Sequence, residues 1–541
     1  MQGSGGRLAA EVLQRWGVDC LFTLSGGHLF PLYDGCVQVG IDLVDTRHEQ
    51  TATFAAEGWA KVTRRPGVAA LTAGPGVTNG VSAMTSAFCN GSPVTVIGGR
   101  APQARWGSGS LQELDHIPIV DSVTKQAGTA GTTVSIPSDL DASLRAATTP
   151  HRGPTFLDVG LDVFFGEAET EIPAAPSHDV TPGVEPDPDH VSAVAALVAE
   201  SRQPVLLVGG DVYWAHAEEA MRHFSDTADV PVLTNGMGRG TIPSDSPLAF
   251  SRSRSAALGG ADLVIVAGTP LDFRLGFGDF GDAEVVHLTD APQGVASHAT
   301  LAASVAGDLL ATFEGLTAAI VEGSKPDHAD WVATLQGEER SRREAADEAL
   351  WSDATPIHPL RIYGELQEHL DRDAVVIGDG GDFVSYAGKY VDTFEPGCFL
   401  DPGPYGCLGM GLGYSIAAAL AHPDRQIVLL LGDGAAGFSL MDFDTLVRFG
   451  LPVVAVVGNN GIWGLEKHPM QMVYGYDVAA ELRPGTRYDL VAEALGAHGD
   501  LVEEPAEIGP ALERAFAVDG PALVNILTDP ADAYPRSSNL A

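Results

Sequence analysis

The sequence predicts an α/β protein of three domains, each with a central parallel sheet flanked by helices. Short apolar runs alternate with longer helical patterns along all 541 residues. Two stretches without apolar periodicity cut the chain into three blocks. The 64 glycines cluster where strands turn into helices, and a turn there often needs a backbone without Cβ.

The runs at 68–72, 94–98, 205–208, 263–267, 374–377, 427–431 and 453–457 read as strands, each bounded by Gly, Pro or Asp. They are apolar throughout rather than alternately. Both faces are therefore covered, as in parallel sheets packed between helices. The first break, 168–190, holds Pro173, Pro176, Pro182, Pro186 and Pro188. The second is the charged stretch from 324 to about 358, which ends in Thr355-Pro356-Ile357-His358-Pro359. Both read as inter-domain connections. They give domains at 1–168, 190–323 and 356–541.

Hydrophobic residues make up 45%, enough for a core in each block. Lys+Arg is 31 against Asp+Glu 71, a net charge of -40. Such a surface has no cation excess for nucleic acid or anionic lipid. A local basic pocket for an anionic cofactor stays compatible with it. No apolar run reaches membrane length, and the start, Met1-Gln2-Gly3-Ser4, leads into an amphipathic helix pattern rather than a signal-peptide core. The five cysteines are scattered and form no C-x-x-C. They read as buried thiols of a reduced, cytoplasmic chain. The expected partner is a small molecule, with no nucleic acid and no membrane.

The most informative stretch runs from Ile427 to Glu466. A buried strand runs into Gly432-Asp433-Gly434, a helix pattern covers 438–449, and a second strand runs into Gly458-Asn459-Asn460-Gly461. Asp433 and Asn460 are 27 residues apart. One βαβ unit of that length brings two neighbouring strand ends together at the carboxyl edge, where open α/β sheets bind ligands. A carboxylate, an amide oxygen and a backbone carbonyl are hard donors suited to Mg²⁺ or Ca²⁺, with diphosphate oxygens completing the shell. The helix that follows aims free N–H groups at the anion. Other nucleotide motifs fail. Gly409-x-Gly411-x-x-Tyr414 lacks the third glycine of a dinucleotide fingerprint, and Gly388-Lys389 is followed by Tyr390 instead of Ser or Thr.

On these residues the chain resembles the thiamine-diphosphate-dependent decarboxylase and acetolactate synthase superfamily, along nearly its whole length. The resemblance implies a pyrimidine-binding, a central and a diphosphate-binding domain. It implies thiamine diphosphate and Mg²⁺ as cofactors, the metal held by Asp433, Asn460 and the Ile462 carbonyl. Gly432, Gly434, Ala435, Asp382 and Trp463 complete the diphosphate side. In Asp45-Thr46-Arg47-His48-Glu49-Gln50, Glu49 matches the carboxylate that shares a proton with the pyrimidine N1′ and so promotes loss of the thiazolium C2 proton. Met410 matches the bulky residue that bends the cofactor into a V. Family members bring this Glu to the diphosphate site of another subunit, so a homodimer is the smallest expected active unit and a homotetramer the expected assembly.

The reaction is read from the pocket. His28, in Leu24-Ser25-Gly26-Gly27-His28, resembles a proton-relaying His of the carboligase and lyase branch. Gln112 matches a pocket glutamine that hydrogen-bonds a substrate oxygen. Glu466, six residues after Asn460, matches a catalytic Glu that takes a proton from the substrate alcohol. In the central block, Met237-Gly238-Arg239-Gly240, Ser253-Arg254-Ser255-Ala256 and Leu271-Asp272-Phe273-Arg274 track segments of 2-hydroxyacyl-CoA lyase and oxalyl-CoA decarboxylase. Tyr534-Pro535-Arg536 resembles their closing segment. Arg254, Ser255 and Arg536 are then nucleotide or thioester contacts, and the central domain holds CoA, ADP or FAD. The leading expectation is a 2-hydroxyacyl-CoA lyase. The alternative is an acetolactate synthase-like enzyme that joins pyruvate to a 2-keto acid with loss of CO₂.

Overall fold

A computed structural model of the protein describes residues 1–174, 183–323, 325–532 and 534. It contains three parallel sheets in chain order. The N-terminal sheet has, side by side, Asp42–Asp45, Cys20–Thr23, Gly67–Leu71, Val94–Arg100, Thr155–Gly160 and Gln126–Ala130. The central sheet has Val232–Thr234, Pro204–Val208, Leu263–Ala267, Glu284–Thr289 and Ala303–Ala306. The C-terminal sheet has Phe399–Leu400, Val375–Asp379, Ile427–Gly432, Val453–Asn459, Ala522–Leu527 and His498–Val502.

Ranked along the chain, the strands of both six-stranded sheets lie in the order 2-1-3-4-6-5. In each, the first and third strands are neighbours and the second lies outside the first. The chain therefore leaves those neighbours in opposite directions, which opens a crevice at their carboxyl ends. The Gly-rich segments at 73–80 and 407–413 hold different places in this plan: the first follows the third strand of its sheet in chain order, the second follows the second.

The two six-stranded sheets share one core. The helix Glu49–Thr63 is buried nearly all round, which requires a neighbour on every face. One neighbour is the equally buried helix Gly411–Ala421. Their backbones approach through glycine: a Cβ on Gly58 would lie 2.7 Å from Tyr414 Cα, and one on Gly413 would lie 2.6 Å from Phe54 Cβ. Lys61 and Glu57 sit in this contact at 1% and 0% exposure. Lys61 Nζ lies 3.2 Å from Glu57 Oε1 and donates to Tyr414 Oη at 2.8 Å. Asn90 Nδ2 and Ser92 Oγ also donate to Glu57.

Several local expectations need correction. The predicted helix at 438–449 begins earlier, as Asp433–Ser439, and resumes as Phe443–Phe449 after a tight turn at Leu440–Asp442. The charged stretch 324–358 is mostly a helix, Ala329–Leu350. Its Trp331, Val332 and Leu335 enter the central core, and Leu350 enters the C-terminal one. In the first break, Glu167–Glu169 pairs antiparallel with Gln2–Ser4, and a helix starts at Pro188. All five cysteines are free, but Cys89 is exposed and Cys407 only half-buried. Among the described residues no helix is long and apolar enough to cross a membrane.

Removing one partner of a buried ion pair strands the other charge away from water. Lys61→Met keeps the side-chain length but leaves Glu57 uncompensated, so urea unfolding is expected to show a loss of about 3–5 kcal/mol. A change below about 1 kcal/mol would mean that water reaches this contact.

Candidate active site

At the N-terminal sheet edge, one turn, Thr72 to Gly76, collects the residues that the sequence singled out. His28 Nδ1 lies 3.2 Å from Thr72 Oγ1. A Cβ on Gly26 would lie 2.2 Å from Thr72 Cβ, so only glycine allows that approach. Gly74, at φ +62°, faces Gln112, and a Cβ there would meet Gln112 Cβ at 3.0 Å. A Cβ on Gly76 would lie 3.6 Å from Glu49 Oε1. Glu49 is 7% exposed and starts its helix; Asn79 Nδ2 donates to its Oε2 at 3.0 Å. Burial holds the His28 imidazole below its ordinary range, a bond to the Leu111 backbone partly offsets this, and nearby His116 lowers it further. A neutral imidazole in such a place can take up a proton.

At the C-terminal sheet edge, Gly432 pairs with Gly458 in register, so Asp433 and Asn460 leave adjacent strand ends. Asp433 is 4% exposed. Gly461 N–H donates to its Oδ2 at 2.7 Å and Gly434 N–H to its Oδ1 at 2.9 Å. Ile462 N–H donates to Asn460 Oδ1 at 3.1 Å. A Cβ on Gly434 would lie 2.5 Å from the Trp463 ring, and one on Gly464 would lie 2.2 Å from Asp382 Oδ2. A small pocket is lined by Asp382, Gly432, Asp433, Gly434, Ala435, Asn460, Ile462, Trp463 and Glu466. The structure thus brings together every predicted diphosphate-side residue except Met410. Met410 is fully buried in the core between the two six-stranded sheets and lines neither this pocket nor the larger cleft beside it.

That cleft, about 880 Å³, lies between the central and C-terminal sheets. Arg239, Arg252, Arg254, Arg274, Arg342 and Lys389 line it, together with Ser255, Trp463 and Glu466. Burial first, then the like charges of Arg239 and Arg274, push Arg254 down to about 10. Arg252 is 6% exposed, and its Nε and Nη1 have no partner among the described residues. Arg239, Arg274 and Arg342 pair with Asp401, Asp272 and Glu338, whereas Arg252 and Arg254 make no ion pair among the described residues, so these two are suited to an added anion. Arg536 lies outside the described residues.

Sequence reasoning missed two carboxylates and a histidine. Asp379 ends the first strand of the C-terminal sheet, fully buried, and accepts from Gly409 N–H at 3.1 Å and Gly411 N–H at 2.9 Å. Its signal was present: Gly378-Asp379-Gly380 repeats the pattern of Gly432-Asp433-Gly434 after another apolar strand. His116 and Asp158, both buried at the N-terminal edge, stand in no motif. A separate group, His151 with Asp211 and Asp290, brings three ligand-type atoms within 4.8 Å of one another. It joins the first and central domains, away from both sheet edges. His151 Nδ1 lies 3.1 Å from Asp290 Oδ1 and 3.5 Å from Asp211 Oδ1, and Lys125 and Arg152 act on the group electrostatically, so it forms an ion-pair network.

Three family models match along the chain: the N-terminal TPP binding domain of thiamine pyrophosphate enzymes at residues 3–119, the central domain at 191–316 and the C-terminal TPP binding domain at 379–526. The "Acetolactate synthase large subunit IlvG" of Mycobacterium tuberculosis is 52% identical over 99% of this chain and 98% of its own length. The chain belongs to the thiamine pyrophosphate enzymes. The "Probable acetolactate synthase" of Mycobacterium bovis matches equally. The "2-hydroxyacyl-CoA lyase 2" of Bos taurus is 32% identical over 97% of this chain and 90% of its own length. The C-terminal pocket suits the diphosphate and Mg²⁺ of this family: the acceptors of its Asp382, Asp433, Asn460 and Glu466 side chains are all oxygens, and glycine at 434 and 464 lets Trp463 and Asp382 pack closely into its wall.

Burial lifts the Asp379 carboxyl to about 6, although two amides oppose this. A carboxyl raised above its unfolded value of about 4 favours the fold fully below that pH, and the benefit is lost as pH rises through about 6. Stability of ligand-free wild type relative to Asp379→Asn is therefore expected to fall by about 2 kcal/mol between pH 4 and 6.5, measured by urea unfolding. A constant difference across that window would contradict the burial of an uncharged carboxyl there.

Proposed function

We propose that the protein cleaves the carbon–carbon bond between the hydroxyl-bearing carbon and the thioester carbonyl of a 2-hydroxyacyl-CoA. The products are formyl-CoA and an aldehyde, or a ketone where the carbinol carbon carries two substituents. The supporting observation is the arginine-lined cleft that reaches Trp463 and Glu466. A nucleotide-bearing thioester needs cations at one end and a proton acceptor beside the reacting carbon at the other, and this cleft offers both.

Bound thiamine diphosphate supplies a carbon nucleophile at its thiazolium C2. In this reading Asp433, Asn460 and the Ile462 carbonyl hold Mg²⁺, and Asp382, Gly432, Gly434 and Ala435 surround the diphosphate. Glu49 holds the proton exchanged with the pyrimidine. Glu466 accepts the proton of the substrate alcohol as the bond breaks, and neutral His28 is a second proton station. Gln112 hydrogen-bonds a substrate oxygen. Arg254, Ser255 and Arg536 meet the nucleotide or thioester. No residue of 1–170 lines either C-terminal cavity. This supports the reading in which Glu49 serves the diphosphate site of a second copy, with a homodimer as the active unit, a homotetramer as the assembly and the cytoplasm as the place of work.

A second reading has specific support. The relatives at 52% identity are named acetolactate synthases. Under it the substrates are pyruvate and a 2-keto acid, and the arginine cleft holds FAD or ADP instead of a CoA thioester.

The readings separate on substrate. The holoenzyme is expected to convert a 2-hydroxyacyl-CoA to formyl-CoA, detected by mass spectrometry. Glu466→Gln should slow that step about 10²–10⁴-fold, and Arg254→Ala should raise KM with less change in kcat. Acetolactate formed from pyruvate with no thioester cleavage would give the reaction to the second reading.

A further inference from the structure

His116 and Asp158 form a buried pair that no motif announces. Both are 0% exposed. Gly74 N–H donates to His116 Nε2 at 3.0 Å. A backbone amide can only donate, so Nε2 carries no proton. The proton of the neutral ring then sits on Nδ1, which faces Asp158 Oδ2 at 3.1 Å and donates to it. Arg100 Nη1 lies 3.4 Å from the other Asp158 oxygen and so balances the carboxylate. The tautomer is fixed from both sides.

The amide held this way belongs to the turn on which the N-terminal half-site converges. Thr72 of that turn touches His28, Gly74 backs onto Gln112, and Gly76 faces Glu49. The two sides of the Gly74–Gln112 approach are both in the left-handed half of backbone space, at φ +62° and +58°. For Gln112 that conformation is unfavourable, so surrounding structure must impose it. His116 lies four residues after Gln112 and reaches back across the gap to Gly74. It thus ties the segment that carries Gln112 to the turn that carries Thr72 and Gly76.

We propose that His116, oriented by Asp158, is a positioning residue: it clasps the Gly74 amide and so sets Glu49, His28 and Gln112 in register with one another. His116 touches none of the reacting atoms and takes no part in proton transfer. The proposal rests on reading those three residues as one cofactor half-site, but not on whether the substrate is a thioester or a keto acid.

Two measurements test it on the full-length protein. Long-range ¹H–¹⁵N correlation on ¹⁵N-histidine-labelled protein at pH 7.5, with the resonance assigned through His116→Gln, should show a neutral ring protonated at Nδ1. A ring protonated at Nε2, alone or with Nδ1, would overturn the proposal, and this test needs no variant to be active. The second measurement is deuterium exchange of the C2 proton of thiamine diphosphate bound with Mg²⁺. His116→Leu removes the acceptor and should slow exchange about tenfold to a hundredfold through misplacement alone. His116→Gln, whose carbonyl can accept from Gly74 while its amide donates to Asp158, should recover most of the rate. Slow exchange in both variants, or a wild-type rate in His116→Leu, would overturn the clasp. Glu49→Gln serves as the control. If it exchanges at the wild-type rate, the half-site reading fails. If it is slow while His116→Leu is not, only the clasp fails.

Discussion

The contact between the helices Glu49–Thr63 and Gly411–Ala421 governs where everything else can sit. Gly58 lies against Tyr414 and Gly413 against Phe54, closer than any side chain at those glycines would permit. Each helix begins at a turn beside a sheet edge. One opens with Glu49; the other follows the Gly409–Gly411 segment that buried Asp379 holds by two amides. Moving either helix would move a carboxylate or a glycine turn with it. The buried Lys61–Glu57 pair lies in the same contact and penalises separation of the two sheets.

The two six-stranded sheets have the same strand order but different chemistry at their carboxyl edges. The N-terminal edge carries Glu49, His28, Gln112 and the His116–Asp158 pair, groups that donate, accept or orient protons. The C-terminal edge carries Asp433, Asn460 and the Ile462 backbone, oxygen donors for a hard cation. The central sheet adds the arginines of the cleft. A net charge of -40 coexists with that cleft, because Arg252, Arg254, Arg239 and Arg274 are gathered on one wall. Whole-chain charge decides what the outer surface attracts, whereas a pocket is decided by its own lining.

Much of this was legible in the sequence. The apolar runs mark strands buried on both faces, and the Asp433–Asn460 spacing spans a single βαβ unit, so local patterns were enough to place both strand ends. The helix Ala329–Leu350 was hidden because its charged residues outnumber the few apolar ones, Trp331, Val332 and Leu335, that anchor it to the central core. Asp379 repeats a visible motif, but its role depends on a turn 30 residues away, which no local pattern encodes. His116 is legible only once folding brings Gly74 and Asp158 to its two nitrogens, each 42 residues distant along the chain. Met410, which the resemblance sets against the cofactor, is wholly buried at the start of the helix Gly411–Ala421.

The central claim is that the C-terminal sheet edge is a combined metal and diphosphate site built on Asp433. Calorimetric titration of the ligand-free protein with thiamine diphosphate in the presence of Mg²⁺ tests it most directly. Wild type should bind saturably, a chelator should abolish the binding, and Asp433→Ala should weaken it by about a hundredfold or more, beyond what loss of a supporting group costs. Equal affinity in wild type and Asp433→Ala, or binding indifferent to Mg²⁺, would contradict the account.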